Sequence, residues 1–424
     1  MRVLIVRVAN PAFLLIALMT LTLLPAIFGG HIGQGGLASD AITYHLPQIE
    51  QFRQNPFNFF RYYATATTLP FYHVFMGWIA ILTGNGQVDN NDIIMRIIHL
   101  VFSFIGIFFL FLKVFQRCSI SVATLMCLPL ASSFYVLSGA LYFGTDGPGF
   151  SLLLLSLIAM SSPIYRPFVI ALVALGVAAI RHLYFPGTLG AVFGGIVGST
   201  SSRVKLSLLA GLIPSVLILG VYFTYWGGAR PANELIKDLN PQGLFLYSIL
   251  AHFGIVGLWG VAFGMLIWED LLSTWRDAKT WVFAFAITIA LASLWYFTPT
   301  SASVPDGRFG SIIWRLSDFA LIGNRSVVVL IAAVVGGIIL SMYITKLLND
   351  NAPLVALGGL IATVMSLGLT YAAYQRYSEP AVLGCFILMN LDIHQREPIG
   401  IYKFFPIIML SMIGFYTFIT KVYI

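Results

Sequence analysis

The side chains best suited to chemistry lie in residues 39–83, the longest polar break in the first quarter of a strongly apolar chain. Asp40 comes first, just beyond an apolar run at about residues 12–28. A carboxylate there can take the proton from a hydroxyl as its oxygen attacks, which is general-base work. Ser39-Asp40 is equally a good helix cap. Tyr44-His45-Leu46-Pro47 follows, with a titratable ring set before a proline-opened helix. His45 could hold a sugar hydroxyl or a phosphate oxygen, or simply sit as a polar group at a membrane interface. Asp40 and Tyr44 share a face if this segment is helical. Thr67-Thr68-Leu69-Pro70 then opens a second apolar helix carrying Tyr72.

Two arginines stand apart from the others. Arg181 in AIRHLYFPG and Arg376 in YQRYSEP each close an apolar run. A guanidinium binds phosphate oxygens as a fork and keeps its charge in a dry site. A charge at that depth needs a partner, and a lipid phosphate would serve, although snorkelling from a helix end is the plainer account. Asp146 in LYFGTDGP and Asp306 in Pro305-Asp306-Gly307-Arg308 read first as turn residues. There is no Walker loop, dinucleotide glycine fingerprint, GxSxG elbow or His/Cys cluster with metal spacing. Asp89 and Asp92 fall within DNND, a turn rather than a metal-binding pair for a nucleotide sugar. The pattern therefore calls for no metal and no cofactor, and gives no support to a nucleotide donor.

The elements that must position these residues are membrane helices. Of the 424 residues 59% are apolar and 9% charged, with a mean hydropathy of +0.90, whereas soluble domains carry about 25% charged residues. Apolar runs near the spanning length predict an all-α polytopic protein with about 11–13 transmembrane helices. Among them are separate runs at about 167–181 and 184–199, and short ones at 147–162 and 380–391. The first run follows Arg2 and Arg7 and reads as an uncleaved transmembrane helix rather than a signal peptide. Residues 70–82 are too short to span and read as an interfacial helix opened by Pro70. Cys118, Cys127 and Cys385 give neither a disulfide framework nor metal spacing. The net charge of +7 is spread over loops, without a basic run that would suggest nucleic acid. Arg2, Arg7, Lys113, Arg117, Arg203 and Lys205 fall in short loops on one side, which predicts a cytoplasmic N-terminus. Residues 1–424 then form one integral membrane domain, with 29–93 as a first extracytoplasmic loop bearing the catalytic region.

One apolar helix, an acid, YHLP, a proline-opened interfacial helix and the Arg-bearing start of the next span (Ile93-Ile94-Met95-Arg96) together resemble the GT-C superfamily, polytopic glycosyltransferases that use polyprenyl-phosphate sugars. Asp40 with Tyr44–Pro47 is similar to bacterial members with a D-x-x-x-YHLP first loop. His45-Leu46-Pro47-Gln48 and Thr67-Thr68-Leu69-Pro70 with Tyr72 resemble the dolichyl-phosphate-glucose alpha-1,2-glucosyltransferases. Arg181-His182 and Gln375-Arg376-Tyr377 echo that branch's later motifs. The likeness is specific over residues 38–112. It departs where the glucosyltransferases carry Asp-Glu one residue nearer the histidine, and a phenylalanine at the position of Gln375.

The resemblance implies an inverting hexosyltransferase, glucose favoured, moving sugar from a polyprenyl phosphate to a glycan or lipid-linked acceptor outside the cytoplasm. Asp40 would be the base. Tyr44, His45, Thr68, Tyr72, Arg181 and Arg376 would bind substrate. The membrane expected is the bacterial cytoplasmic one, with the endoplasmic reticulum as the alternative. A lipid-linked sugar transporter or flippase, and a GT-C enzyme using another sugar such as mannose, are the rival expectations.

Overall fold

A computed structural model describes residues 2–29, 36–60, 68–84, 88, 92–161, 167–228, 243–300, 316–350, 354–370, 374–391 and 400–423, with backbone alone at 2–10, 36 and 37. Asp306, Arg308 and Asp89 lie outside these residues. The described chain is all-α apart from a two-residue antiparallel pairing of Leu321–Ile322 with Arg325–Ser326. Among the described residues, eight helical runs are long and apolar enough to cross a membrane, and a ninth forms if Ile120–Ser132 and Phe134–Leu141, bent by 57° at Ser133, count as one. The chain is a polytopic membrane protein.

The order begins with α1 (Arg2–Gly29) and the short α2 (Gly36–Asp40). A π-helical turn, Ala41–His45, leads into α3 (Leu46–Gln54), whose first turn accepts Pro47 because a proline there gives up no intrahelical bond. Next come α4 (Phe71–Leu82), capped by Pro70, and α5 (Ile93–Arg117), capped by the Asp92 carboxylate on Met95 N at 3.0 Å. The bent pair is α6 (Ile120–Ser132) and α7 (Phe134–Leu141). Then follow α8 (Asp146–Met160), α9 (Pro167–Arg181), α10 (Phe185–Val197) and α11 (Ser202–Trp226). The remainder is α12 (Leu246–Gly264), α13 (Trp268–Thr274), α14 (Ala278–Phe297), α15 (Val327–Asn349), α16 (Val355–Ser366), α17 (Gln375–Met389) and α18 (Phe405–Val422).

Pro167–Val197 is continuously helical and passes as one apolar run of 31 residues, yet it reverses direction at Arg181. The backbone breaks there (φ −144°, ψ 82°). Gly149 of α8 meets Arg181, and Gly176 meets Leu152, so α9 runs antiparallel to α8. Gly187 meets Leu153 and Thr188 bonds Ser156 at 3.2 Å, so α10 runs parallel to α8. Two runs at about 167–181 and 184–199, as the sequence predicts, describe the path better than a single span.

Close approach is achieved with glycine. A Cβ on Gly106 of α5 would collide with the Ser151 backbone of α8, and Gly190 and Gly358 press α10 against α16 in the same way. Helices α8 and α17 stand in the middle of the bundle. From Ser378 to Met389 every residue of α17 is buried, which lets these two helices be short without facing lipid along their length.

Helix α4 is amphipathic in an inverted sense. Tyr72, His73 and Gly77 are buried, while Phe75, Trp78, Ile81 and Leu82 face outward. A helix lying at a membrane interface with its polar side against the protein has this pattern.

Candidate functional site

Four elements distant in sequence bring their charges together at the end of the bundle that carries α2–α4. Asp40 closes α2, Asp146 opens α8, Arg181 ends α9 and Arg376 lies in the first turn of α17. Arg376 Nη1 is 2.8 Å from Asp40 Oδ2. Its Nε is 3.7 Å from Asp146 Oδ2, and Arg181 Nη2 is 2.9 Å from Asp146 Oδ1. Two carboxylates and two guanidiniums thus alternate as Asp40, Arg376, Asp146, Arg181. The Arg181–Asp146 contact is a close ion pair without hydrogen-bond alignment. Asp146 Oδ1, Arg181 Nε and Arg376 Nε are all buried and lack a hydrogen-bond partner. Buried donors without acceptors are costly, and oxyanions of a ligand would complete them.

Aromatic rings hold the guanidiniums in plane. Arg376 lies over Tyr374 at 4.7 Å and over Tyr377 at 5.1 Å, and Arg181 also lies over Tyr377, at 5.5 Å. Such stacking favours a cation in a site poor in water. Arg181 at 2.9 Å and Arg376 at 3.7 Å stand on the two oxygens of the Asp146 carboxylate, one on each. Asp146 is therefore the fixed counter-charge of the arginine pair.

The site is sunk rather than perched at a helix end. Gly147 abuts Ser103, and Gly106 N donates to Ser151 Oγ at 2.7 Å, so α8 runs beside α5 with Asp146 level with Ser103. From Ile93 to Ser103 is about 15 Å of helix. Along that wall Ile93, Ile94, Ile97 and Val101 face outward. The polar cluster occupies a basin behind an apolar, lipid-facing wall, roofed in part by α2–α4. A narrow recess of about 10 Å³ continues inward between Ser103, Tyr135, Asp146, Tyr184, Arg376 and Pro380.

The predicted residues divide into groups. Asp40 and Arg376 meet directly and Arg181 joins them through Asp146, while His45 faces the same turn, with Nε2 and Cδ2 each 3.5 Å from the position a Cβ on Gly144 would take. Burial drives the His45 ring down to about 3 against the pull of Asp146, so the ring is neutral. Tyr44 is half-buried on the same π-helical turn. Thr68 is fully buried with an unpartnered hydroxyl. Tyr72 is also fully buried, its hydroxyl bonded to His99 Nδ1 at 2.8 Å, so it braces the basin wall.

Sequence reasoning missed Asp146, which it read as a turn residue, and also His73 and Tyr374, while Tyr377 entered it only as part of the Gln375-Arg376-Tyr377 motif. A signal for Asp146 was present: two arginines at apolar depth need a counter-charge, and Asp146 is an acid at the head of a helix between them. His73, whose Nε2 lies 2.9 Å from His45 Nδ1, gave no signal, because two rings so far apart in sequence meet through tertiary packing. Among the described residues no group of three or more His, Cys, Asp or Glu side chains is arranged to hold a metal ion.

No family model matches this chain, and no curated protein or solved structure matches it.

Proposed function

We propose that the protein is a membrane glycosyltransferase that moves a hexose, glucose favoured by the sequence resemblance, from a polyprenyl-phosphate donor to a glycan or lipid-linked acceptor outside the cytoplasm. The observation that carries this reading is the Asp40–Arg376–Asp146–Arg181 cluster in a basin with a lipid-facing wall. An arginine pair with unpartnered buried Nε groups suits a phosphate whose hydrocarbon chain lies alongside in the bilayer. The lipid phosphate would bind Arg181 and Arg376, which stabilise the charge it gains on leaving. Asp40, the more exposed carboxylate (33% against 20% for Asp146), would receive the acceptor's proton. The acceptor oxygen forms the new bond to the anomeric carbon as the bond to the phosphate oxygen breaks, and that oxygen keeps the electron pair. One displacement inverts the configuration. A phosphate leaves without an acid, so a single proton acceptor suffices, unlike the carboxyl pair of a hydrolase.

The depth of the cluster favours a second reading, a transporter of lipid-linked sugars, because transporters place their ionisable groups within the membrane. One experiment separates the two. Membranes carrying wild type or Asp40→Asn are given radiolabelled polyprenyl-phosphate-glucose or polyprenyl-phosphate-mannose, and label is sought in lipid-linked acceptors. Transfer by wild type and none by an equally abundant Asp40→Asn variant is expected. Labelled donor that crosses vesicle membranes without sugar transfer would establish the transporter instead.

A further inference from the structure

The mechanism leaves one feature of the basin unused, a pair of coplanar histidines, His45 and His73, joined edge to edge. His45 Nδ1 and His73 Nε2 are 2.9 Å apart, and the ring planes differ by 10°. One nitrogen must donate and the other accept, so the bond fixes both tautomers together. His73 is 0% exposed, and its other nitrogen, Nδ1, has no hydrogen-bond partner. If His45 Nδ1 carried the proton, His73 would hold its own proton on Nδ1, a buried N–H with nothing to receive it. If His73 Nε2 carries the proton, the bare atom is an acceptor lone pair. Among backbone groups orphaned buried N–H donors are rarer than under-satisfied acceptors, and the same preference is taken for the ring nitrogens. The second arrangement places the remaining His45 proton on Nε2, at the ring edge that faces the Gly144–Asp146 turn, where Nε2 makes no hydrogen bond among the described residues.

We propose that His73 is a positioning residue: its Nε2–H donates to His45 Nδ1 and so holds His45 as an Nε2–H donor aimed at a phosphoryl oxygen of the bound lipid. The assignment removes His45 from the candidates for general base, since its one unprotonated nitrogen is occupied by His73. It adds a neutral donor to the two guanidiniums around the phosphate. The tautomer rests on the geometry alone; the phosphoryl contact rests on the donor reading of the preceding section.

The test has two arms. Protein labelled with ¹⁵N-histidine is reconstituted in bilayers, and solid-state NMR, assigned with His45→Gln and His73→Gln, reads each ring nitrogen as protonated or bare. Protonated Nε2 and bare Nδ1 are expected on both rings; a bare Nε2 on His45 overturns the proposal. In the second arm, binding of polyprenyl phosphate without sugar is measured for purified wild type, His73→Gln, His73→Phe, His45→Ala and His45→Ala/His73→Phe. The glutamine amide can replace the His73 donor, whereas phenylalanine fills the space without one. Loss of a hydrogen bond to a charged group predicts about tenfold weaker binding for His73→Phe. Near wild-type affinity is expected for His73→Gln, and no further loss when His73→Phe is added to His45→Ala. Equal loss in Gln and Phe variants, or additive loss in the double variant, would show that His73 only packs. Unchanged binding of the sugar-free polyprenyl phosphate by His73→Phe and His45→Ala would overturn the phosphoryl assignment. Wild type that binds no polyprenyl phosphate would sink the donor reading and the phosphoryl contact with it, while the spectra would still decide the tautomer.

Discussion

Asp146 and Asp40 touch the same arginine, and their replacement by asparagine should have opposite consequences. Asp146 is 2.9 Å from Arg181 and 3.7 Å from Arg376, with its side chain 20% exposed and those of the arginines 11% and 16%. At an effective dielectric of about 20, gross attractions at these distances are about 6 and about 4 kcal/mol, most of it offset by the cost of drying the charges. Removal of the shared partner does not refund that cost. It leaves the buried Arg181 without a carboxylate and Arg376 with Asp40 alone, and breaking such a buried pair costs about 3–5 kcal/mol. The incomplete burial puts the expected loss for Asp146→Asn at the lower end, about 3 kcal/mol. Asp40→Asn leaves Arg376 with Asp146 and removes a carboxylate one-third exposed, at a cost of about 1 kcal/mol.

Thermal unfolding of the purified variants in lipid nanodiscs, followed by tryptophan fluorescence, measures the difference. Asp146→Asn should unfold well below wild type and Asp40→Asn close to it, although Asp40→Asn is the variant expected to lose transfer. Replacing one guanidinium by a neutral chain should restore part of the loss, so Asp146→Asn/Arg181→Met should be more stable than Asp146→Asn alone. Equal stability of the two asparagine variants, or greater damage from Asp40→Asn, would refute the assignment of Asp146 as the counter-charge.

Three further outcomes are expected. Glu50 is held by Arg53 at 2.6 Å and also accepts from Val88 N at 3.0 Å, which lowers its carboxyl to about 2; a depressed folded value stabilises above the ordinary carboxylate range and is lost as pH falls. The pair is about one-fifth exposed, so Glu50→Gln should cost at most about 1 kcal/mol at pH 6, and the gap from wild type in a pH series of unfolding temperatures should narrow between pH 5 and pH 3. Glu379, 5% exposed, receives bonds from Ser133 Oγ at 2.8 Å and from the Gln375 amide, so Glu379→Gln turns an N–H toward a donor and should cost about 1–2 kcal/mol in the same assay. A side chain at Gly106 meets helix backbone that cannot give way, whereas one at Gly220 meets nothing within 4 Å; Gly106→Ala should cost about 2–3 kcal/mol and yield little monodisperse protein, while Gly220→Ala should be neutral or gain up to about 1 kcal/mol.

The membrane class was legible because desolvating backbone in lipid demands long apolar helices, and twenty-residue runs show in any sequence. The hairpin at Arg181 was legible too, since the polar Arg181-His182 pair and Pro186 interrupt an otherwise unbroken apolar stretch. What sequence could not convey was depth. Charges at the ends of apolar runs suggest a site at the membrane surface, but α8 has 15 residues and begins level with Ser103, well down α5. That offset arises from how α8 packs on α5 through Gly106 and Ser151, a tertiary register with no local trace.

The same limit explains which site residues were found. Asp40, Arg181 and Arg376 break a local pattern, each a charge against an apolar background. His73 breaks none, because it lies on the polar side of an amphipathic helix and so reads as facing water. Its burial follows from α4 turning that side inward, which Phe75, Trp78 and Leu82 on the opposite side make favourable once lipid rather than water is the solvent. In a membrane protein the polar side of an interfacial helix is therefore a place to look for functional groups, and the apolar side a place to expect the bilayer.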